Sequence, residues 1–234
     1  MTFIPHLHTD LREARLKRRG ATHDAKDVPT GLHKEYARME KIMLPQPAAI
    51  AMPFGEILEK RKSYVTGNDN GEIPLHTWGT LMGLAIKKRV GSTRRNYPSG
   101  GALYPIETYV ITSAFPQSAP AAFHYNPTDH ALEKLWNLTS DLDMTKLVYN
   151  PDGLFSTIII FTSVWQRSSA KYGNFTYILA LLEAGHMSEN ILLASTALGL
   201  STRPMAGFDD NSVTKLLDLD AANEQPVHSI VLSS

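Results

Sequence analysis

The run from Ser156 to Val164 reads Ser-Thr-Ile-Ile-Ile-Phe-Thr-Ser-Val, a continuous apolar and β-branched stretch without polar alternation. Such a run is expected in a strand buried on both faces. Apolar residues at helical spacing give three helices: Phe54 to Lys62 (Phe54, Ile57, Leu58), Pro74 to Lys88 (Leu75, Trp78, Leu81, Met82, Ala85) and Tyr177 to Leu198. The last is the longest, keeps its rhythm through Ile178, Leu181, Leu182, Gly185, Leu192 and Ser195, and stops at Gly199. Asp209 or Asp210 can cap a short helix through Leu217. Further strands are read at Glu107 to Ala114, Ala122 to Tyr125 and Val227 to Leu232. Helices and strands mix without strict alternation, so the expected class is α+β with a central, mostly antiparallel sheet flanked by helices.

Residues 1–50 read as an irregular, partly helical extension. Leu11 to Arg19 is a charged, solvated helix, Thr22 to Thr30 is a loop, and Pro45 and Pro47 mark the boundary of a main domain over 51–234. No repeat or low-complexity tract interrupts the 234 residues.

Composition narrows the chemistry. With 23 basic and 23 acidic side chains the net charge is zero, which gives nucleic acid or an anionic membrane no global field to follow. The absence of cysteine excludes disulfides, thiolate nucleophiles, iron–sulfur clusters and cysteine-based zinc sites. No apolar run reaches membrane-spanning length, and Met1 to His6 lacks the pattern of a signal peptide, so a cytoplasmic location is expected. The 9 histidines are scattered, His124 and His186 among them, with no ligand spacing, so no metal site is expected. There is neither a Gly-x-x-x-x-Gly-Lys phosphate loop nor a Gly-x-Gly-x-x-Gly fingerprint.

Residues 98–107, Pro-Ser-Gly-Gly-Ala-Leu-Tyr-Pro-Ile-Glu, join backbone freedom to rigidity. Gly100 and Gly101 let the main chain approach a flat ligand, while Pro98 and Pro105 stiffen the ends. A rigid turn is the plain alternative. Lys171 and Tyr172, next to Gly173, put a lysine amine beside a phenol, and either in its deprotonated form could remove a carbon-bound proton. An ordinary surface loop is again the alternative. Arg61 and Ser63, at the end of the first helix, could hold a phosphate or simply end that helix. Pro204 to Gly207 is a second proline-to-glycine bend leading into a helix.

Taken in order, Arg95-Asn96-Tyr97-Pro98-Ser99-Gly100-Gly101-Ala102-Leu103-Tyr104-Pro105, Lys171-Tyr172-Gly173, Leu182-Glu183-Ala184-Gly185-His186, Asn190, Ala197 to Leu200 and Gly207 to Asp210 resemble the SagB-type dehydrogenases of the nitroreductase-like flavoprotein superfamily. His33-Lys34-Glu35-Tyr36 to Leu44-Pro45 resembles the segment that precedes the catalytic domain there. The resemblance implies a nitroreductase-like fold and FMN held at a homodimer interface. It implies that Arg61 and Ser63 grip the phosphate, that Pro98, Ser99, Gly100 and Gly101 line one side of the ring, and that Pro204, Ala206 and Gly207 lie near its N5 edge. It also implies that Lys171 or Tyr172 accepts the proton when an azoline is oxidised.

The expected activity is therefore oxidation of a thiazoline or oxazoline in a peptide or carrier-bound substrate, with molecular oxygen as electron acceptor and a cyclodehydratase complex as partner. Two alternatives stay open: an NAD(P)H-dependent nitro- or quinone-reductase, and a flavin-free scaffold subunit of a peptide-modifying complex. Three departures bear on the phosphate: Val65 where a basic residue is common, Glu189 before Asn190, and a Leu232-Ser233-Ser234 end without a Gly-Arg-like tail. Arg203 or Arg95 could compensate.

Overall fold

Three isoleucines in succession, Ile158 to Ile160, carry no solvent exposure because the strand that holds them sits inside a sheet with cover on both faces. The computed structural model describes residues 32–63, 71–139, 142–149 and 155–234. The readings for Leu11 to Arg19, Thr22 to Thr30 and Val65 lie outside the described residues.

Among those residues the sheet has seven strands: β1 (Glu40–Met43), β2 (Ile106–Thr112), β3 (Ala121–Asn126), β4 (Ala131–Asn137), β5 (Thr157–Val164), β6 (Ser201–Met205) and β7 (Glu224–Ser233). Their order is β1-β4-β3-β2-β5-β7-β6, and every neighbouring pair runs antiparallel. The α+β architecture with a central antiparallel sheet is as the sequence indicated. The strand β1 falls within the stretch read as irregular, and Met43 pairs with Ala131 of β4.

Five helices flank the sheet among the described residues: α1 (Phe54–Lys60), α2 (Leu75–Ala85), α3 (Gln166–Tyr172), α4 (Thr176–Ala197) and α5 (Asp210–Leu216). On one face, Trp78, Leu81 and Met82 of α2 and Ala180, Ala184, Met187 and Ile191 of α4 pack on Val110, Phe123, Ile159 and Phe161. On the other, Val213 of α5 joins Tyr109, Ile111, Ile158 and Ile160. Burial of each valine, leucine, isoleucine, methionine or phenylalanine among them contributes about 1.5–3 kcal/mol before entropy is counted. Successive residues of β5 thus serve opposite cores, which explains the run without alternation.

Local chemistry sets the ends. The helix α4 closes where Gly199 takes φ 75°: its N–H meets the Thr196 carbonyl at 3.2 Å and the Leu200 N–H meets Ser195 at 2.9 Å, satisfying two terminal carbonyls. Asp209 caps α5 by accepting the Ser212 N–H at 2.6 Å. Pro204 lies in β6, an edge strand, where a missing donor is tolerated.

Candidate functional site

The loop before β2 holds three positive φ angles in four residues: Gly101 (67°), Ala102 (55°) and Tyr104 (48°). Two of them are not glycine, and each such residue carries strain of about 1–3 kcal/mol that neighbouring contacts must hold. The holding contacts are visible. Ser99 Oγ accepts the Tyr104 N–H at 2.9 Å, and the Ser99 carbonyl accepts the Ala102 N–H at 3.1 Å. The Tyr104 hydroxyl accepts the Arg95 N–H at 3.0 Å, and the Arg95 guanidinium lies 4.7 Å from the Tyr104 ring centroid. Arg167 of α3 donates from Nη1 to the Tyr104 carbonyl at 3.0 Å.

Lys171 and Tyr172 form the last turn of α3 rather than a surface loop, and Gly173 ends that helix with φ 52°. Both side chains meet the Gly101 loop. A Cβ at Gly101 would collide with the Tyr172 hydroxyl and lie 3.0 Å from Lys171 Nζ. Lys171 Nζ itself stands 5.5 Å from the Tyr172 ring centroid. Residues about seventy positions apart are thus brought together by a close approach that glycine alone permits.

A buried polar string fixes α3 against the sheet. His124 Nδ1 is 2.9 Å from Glu133 and Nε2 is 2.9 Å from Glu107. An ionised carboxylate only accepts, so both ring nitrogens donate and the imidazole is protonated. Burial opposes that charge, but the two carboxylates outweigh it and raise the His124 pKa. Burial would likewise raise Glu107, yet its hydrogen bond to His124 and the charges of Arg167, His124 and Arg95 hold it at about 2. Arg167 Nη2 donates to Glu107 Oε1, one helical turn from Lys171. The segment that resembled a preceding region closes the string: the Lys34 and Tyr36 N–H groups donate to Glu107 and Glu133 at 2.6 and 3.1 Å. Lys34 Nζ reaches Glu224 at 2.5 Å, and Tyr109 and Thr162 donate to the same carboxylate at 3.0 and 2.6 Å. Sequence reasoning missed this network because its members are far apart in the chain. In the sequence His124 is only one of nine scattered histidines.

Glu183 of α4 is 2% exposed and is the acceptor for the Ser99 hydroxyl. Its Oε1 finds no partner of good hydrogen-bond geometry among the described residues, although the Ile106 backbone bears on the carboxylate. Burial is the largest influence and lifts Glu183 to about 7, against the Ser99 hydrogen bond and the Arg95 and Arg167 charges.

The other sequence candidates are spread over several elements. Arg61 follows α1 and donates from Nη1 to Ser63 Oγ at 3.1 Å on the exposed surface. Neither side chain hydrogen-bonds to residues 98–101 or 171–172 among the described residues. Gly100 packs on Leu179 of α4. Pro204 belongs to β6, Ala206 is exposed after it, and the Gly207 carbonyl accepts the Tyr149 N–H at 2.9 Å. Arg95, a candidate anion contact, is 5% exposed and is bonded to Tyr97 and to the Leu32 carbonyl at 2.8 and 2.9 Å.

An open cleft of about 660 Å³ runs along the loop, lined by Arg94, Asn96, Pro98, Ser99, Gly101 and Tyr104 among others. That volume suits a cofactor-sized ligand. A side-chain-poor backbone on one wall, with a lysine and a tyrosine against the same glycine, suits a flat ring next to a proton acceptor. The guanidinium and hydroxyl of Arg61 and Ser63 form a donor pair of the kind that meets a phosphate.

The Nitroreductase family model matches residues 58–232. The chain is 32% identical over 182 residues to the Microcin B17-processing protein McbC of Escherichia coli, covering 72% of this chain and 65% of that protein. It is 27% identical over 225 residues to the Trifolitoxin-processing protein TfxB of Rhizobium leguminosarum bv. trifolii, covering 88% and 59%. It therefore spans less than two thirds of the length of either relative. Among solved structures, a chain of the E. coli microcin synthetase McbBCD complex with truncated pro-MccB17 bound has the same fold. The TM-score is 0.66 at 22% identity, over 98% of this chain and 93% of that one. No helix among the described residues is long and apolar enough to cross a membrane.

Proposed function

Because this chain belongs to the Nitroreductase family, we propose that it is an FMN-dependent oxidoreductase that converts thiazoline or oxazoline rings in a peptide to thiazole or oxazole. The observation that carries the reading is the meeting of Lys171 Nζ and the Tyr172 hydroxyl at Gly101, a residue that also lines a cleft large enough for a ring ligand. The family generally binds FMN, and two curated relatives are peptide-processing proteins, which supports a peptide substrate. The microcin synthetase complex McbBCD, solved with a truncated pro-peptide bound, supports a cyclodehydratase-type partner for this chain.

Pro98, Ser99, Gly100 and Gly101 would hold one side of the isoalloxazine, Pro204, Ala206 and Gly207 the edge near N5, and Arg61 and Ser63 the phosphate. Bound FMN would supply hydride acceptance, with molecular oxygen taking the electrons afterwards. The remaining work belongs to the protein. Lys171 or Tyr172 takes the ring proton while Gly101, having no side chain, lets both of them close on the loop. Arg167 holds the base-bearing helix to both Glu107 and the Tyr104 carbonyl, so the acceptor is aligned before substrate arrives. A second copy of the chain completing the site as a homodimer is part of the proposal.

Two measurements test it. The purified protein, or protein given FMN, should show the absorption bands of bound oxidised flavin. An azoline-containing peptide incubated with it in air should lose the mass of two hydrogen atoms per ring. Protein that never takes up FMN defeats the reading in favour of a scaffold subunit. Rapid NADPH oxidation without any change in the peptide defeats it in favour of a reductase.

A further inference from the structure

Ser99 has one hydroxyl proton and two lone pairs. The Tyr104 N–H occupies one lone pair at 2.9 Å, and the proton goes to Glu183. Ser99 is half-buried and lines the cleft, so hydrogen-bonding capacity left over on its hydroxyl is within reach of a ligand there. That remainder depends on Glu183. An ionised Glu183 can only accept: it holds the Ser99 proton, and the cleft meets a lone pair. A protonated Glu183 can donate into that lone pair, and the Ser99 proton is released towards the cleft.

We propose that Glu183 is a positioning residue that sets the hydrogen-bonding sense of Ser99 towards the flavin, an acceptor when the carboxyl is ionised and a donor when it is protonated. The inference rests on the reading that FMN binds against this loop. Geometry carries it: a nearly unexposed carboxyl has one good hydrogen-bond partner, and that partner lines the cleft.

The surroundings make both states accessible near neutral pH. Burial raises the Glu183 carboxyl to about 7. Arg95 ahead of the loop and Arg167 on α3 favour ionisation without prevailing. The guanidinium of Arg95 is hydrogen-bonded to Tyr97, whose own pKa Glu183 helps to raise, and that of Arg167 is shared with Glu107 on β2. On β7, His228 is hydrogen-bonded to Ser188 of α4 at 3.0 Å, and burial lowers its pKa. Lys171 and Tyr172 approach from α3 on the Gly101 side of the loop.

Most polar atoms on the flavin ring edge are acceptors, so the donor state should bind it more tightly. The experiment is a titration of the protein with FMN, read by quenching of flavin fluorescence, over about two pH units on each side of the Glu183 transition. The dissociation constant is expected to weaken by about tenfold from the acid to the alkaline limb in a single-proton step. Glu183→Gln should still bind FMN but without the step. Ser99→Ala should also lose it, and Ser99→Thr, which keeps the hydroxyl, should retain it; thermal unfolding verifies that each variant is folded. The same step in folded Glu183→Gln or Ser99→Ala, or a pH-independent wild type that binds FMN, overturns this inference alone. Failure to bind FMN at any pH overturns the flavin reading and this inference with it.

Discussion

Glu107 and Glu183 are both carboxylates with almost no exposure, 1% and 2%, yet their surroundings push them in opposite directions. Glu107 meets His124, Arg167 and the Lys34 N–H and is held at about 2; Glu183 has Ser99, leaves Oε1 without a well-placed partner, and rises to about 7. Burial alone therefore does not decide what a buried acid does. The count of donors and cations around it does. Glu107 anchors α3 as a permanent charge, whereas Glu183 sits beside the cleft at the edge of ionisation.

The strongest challenge to that contrast is Glu107→Ala, which leaves His124 and Arg167 charged and short of a partner. A loss of about 3–5 kcal/mol is expected, seen as a fall of about 6–20 °C in Tm. The pH dependence should be opposite for the two acids. Glu107 titrates lower in the folded state than its usual 4.5, so its contribution is present above that value and is lost as pH falls towards about 2. Glu183 titrates higher, so its contribution is full below 4.5 and is lost as pH rises through about 7. Glu183→Gln should then flatten the alkaline loss of stability by up to about 3 kcal/mol, compared with wild type by denaturant unfolding at acid and alkaline pH. A Gln variant that loses stability equally at every pH would show Glu183 to be a second scaffold like Glu107.

Gly101 lies between the two regions. Gly101→Ala, at φ 67° and against Tyr172 and Lys171, should cost about 1–3 kcal/mol of stability and about a hundredfold in azoline turnover. The smallest expected effect is Asp209→Ala, which removes the α5 cap and should cost about 1 kcal/mol in unfolding while leaving the Glu183 transition unchanged.

The sequence announced elements whose signal is local. Helices α2 and α4, the Gly199 stop, the Asp209 cap and the strand β5 follow from apolar spacing and end chemistry within a few residues. It concealed elements whose reason lies elsewhere. In β4, Glu133 sits where a polar residue reads as exposed, and it is buried only because His124, Asn126 and the Tyr36 N–H meet it. The strand β6 contains Pro204 and reads as a bend. The helix α3 carries Arg167, Lys171 and Tyr172 with little apolar periodicity and is held through Arg167. Lys171, Tyr172 and Gly101 could each be singled out in the sequence, but their meeting required the fold. The part of Glu183 was invisible, since neither its burial nor its pairing with Ser99 has a local signature.

The most direct test of the central claim, that Lys171 and Tyr172 accept the substrate proton beside the Gly101 loop, is azoline oxidation by the Lys171→Ala/Tyr172→Phe double variant, read as peptide mass in FMN-loaded protein. Flavin is expected to stay bound while turnover falls by about a hundredfold to ten-thousandfold. Undiminished turnover in a folded, flavin-loaded double variant would contradict it.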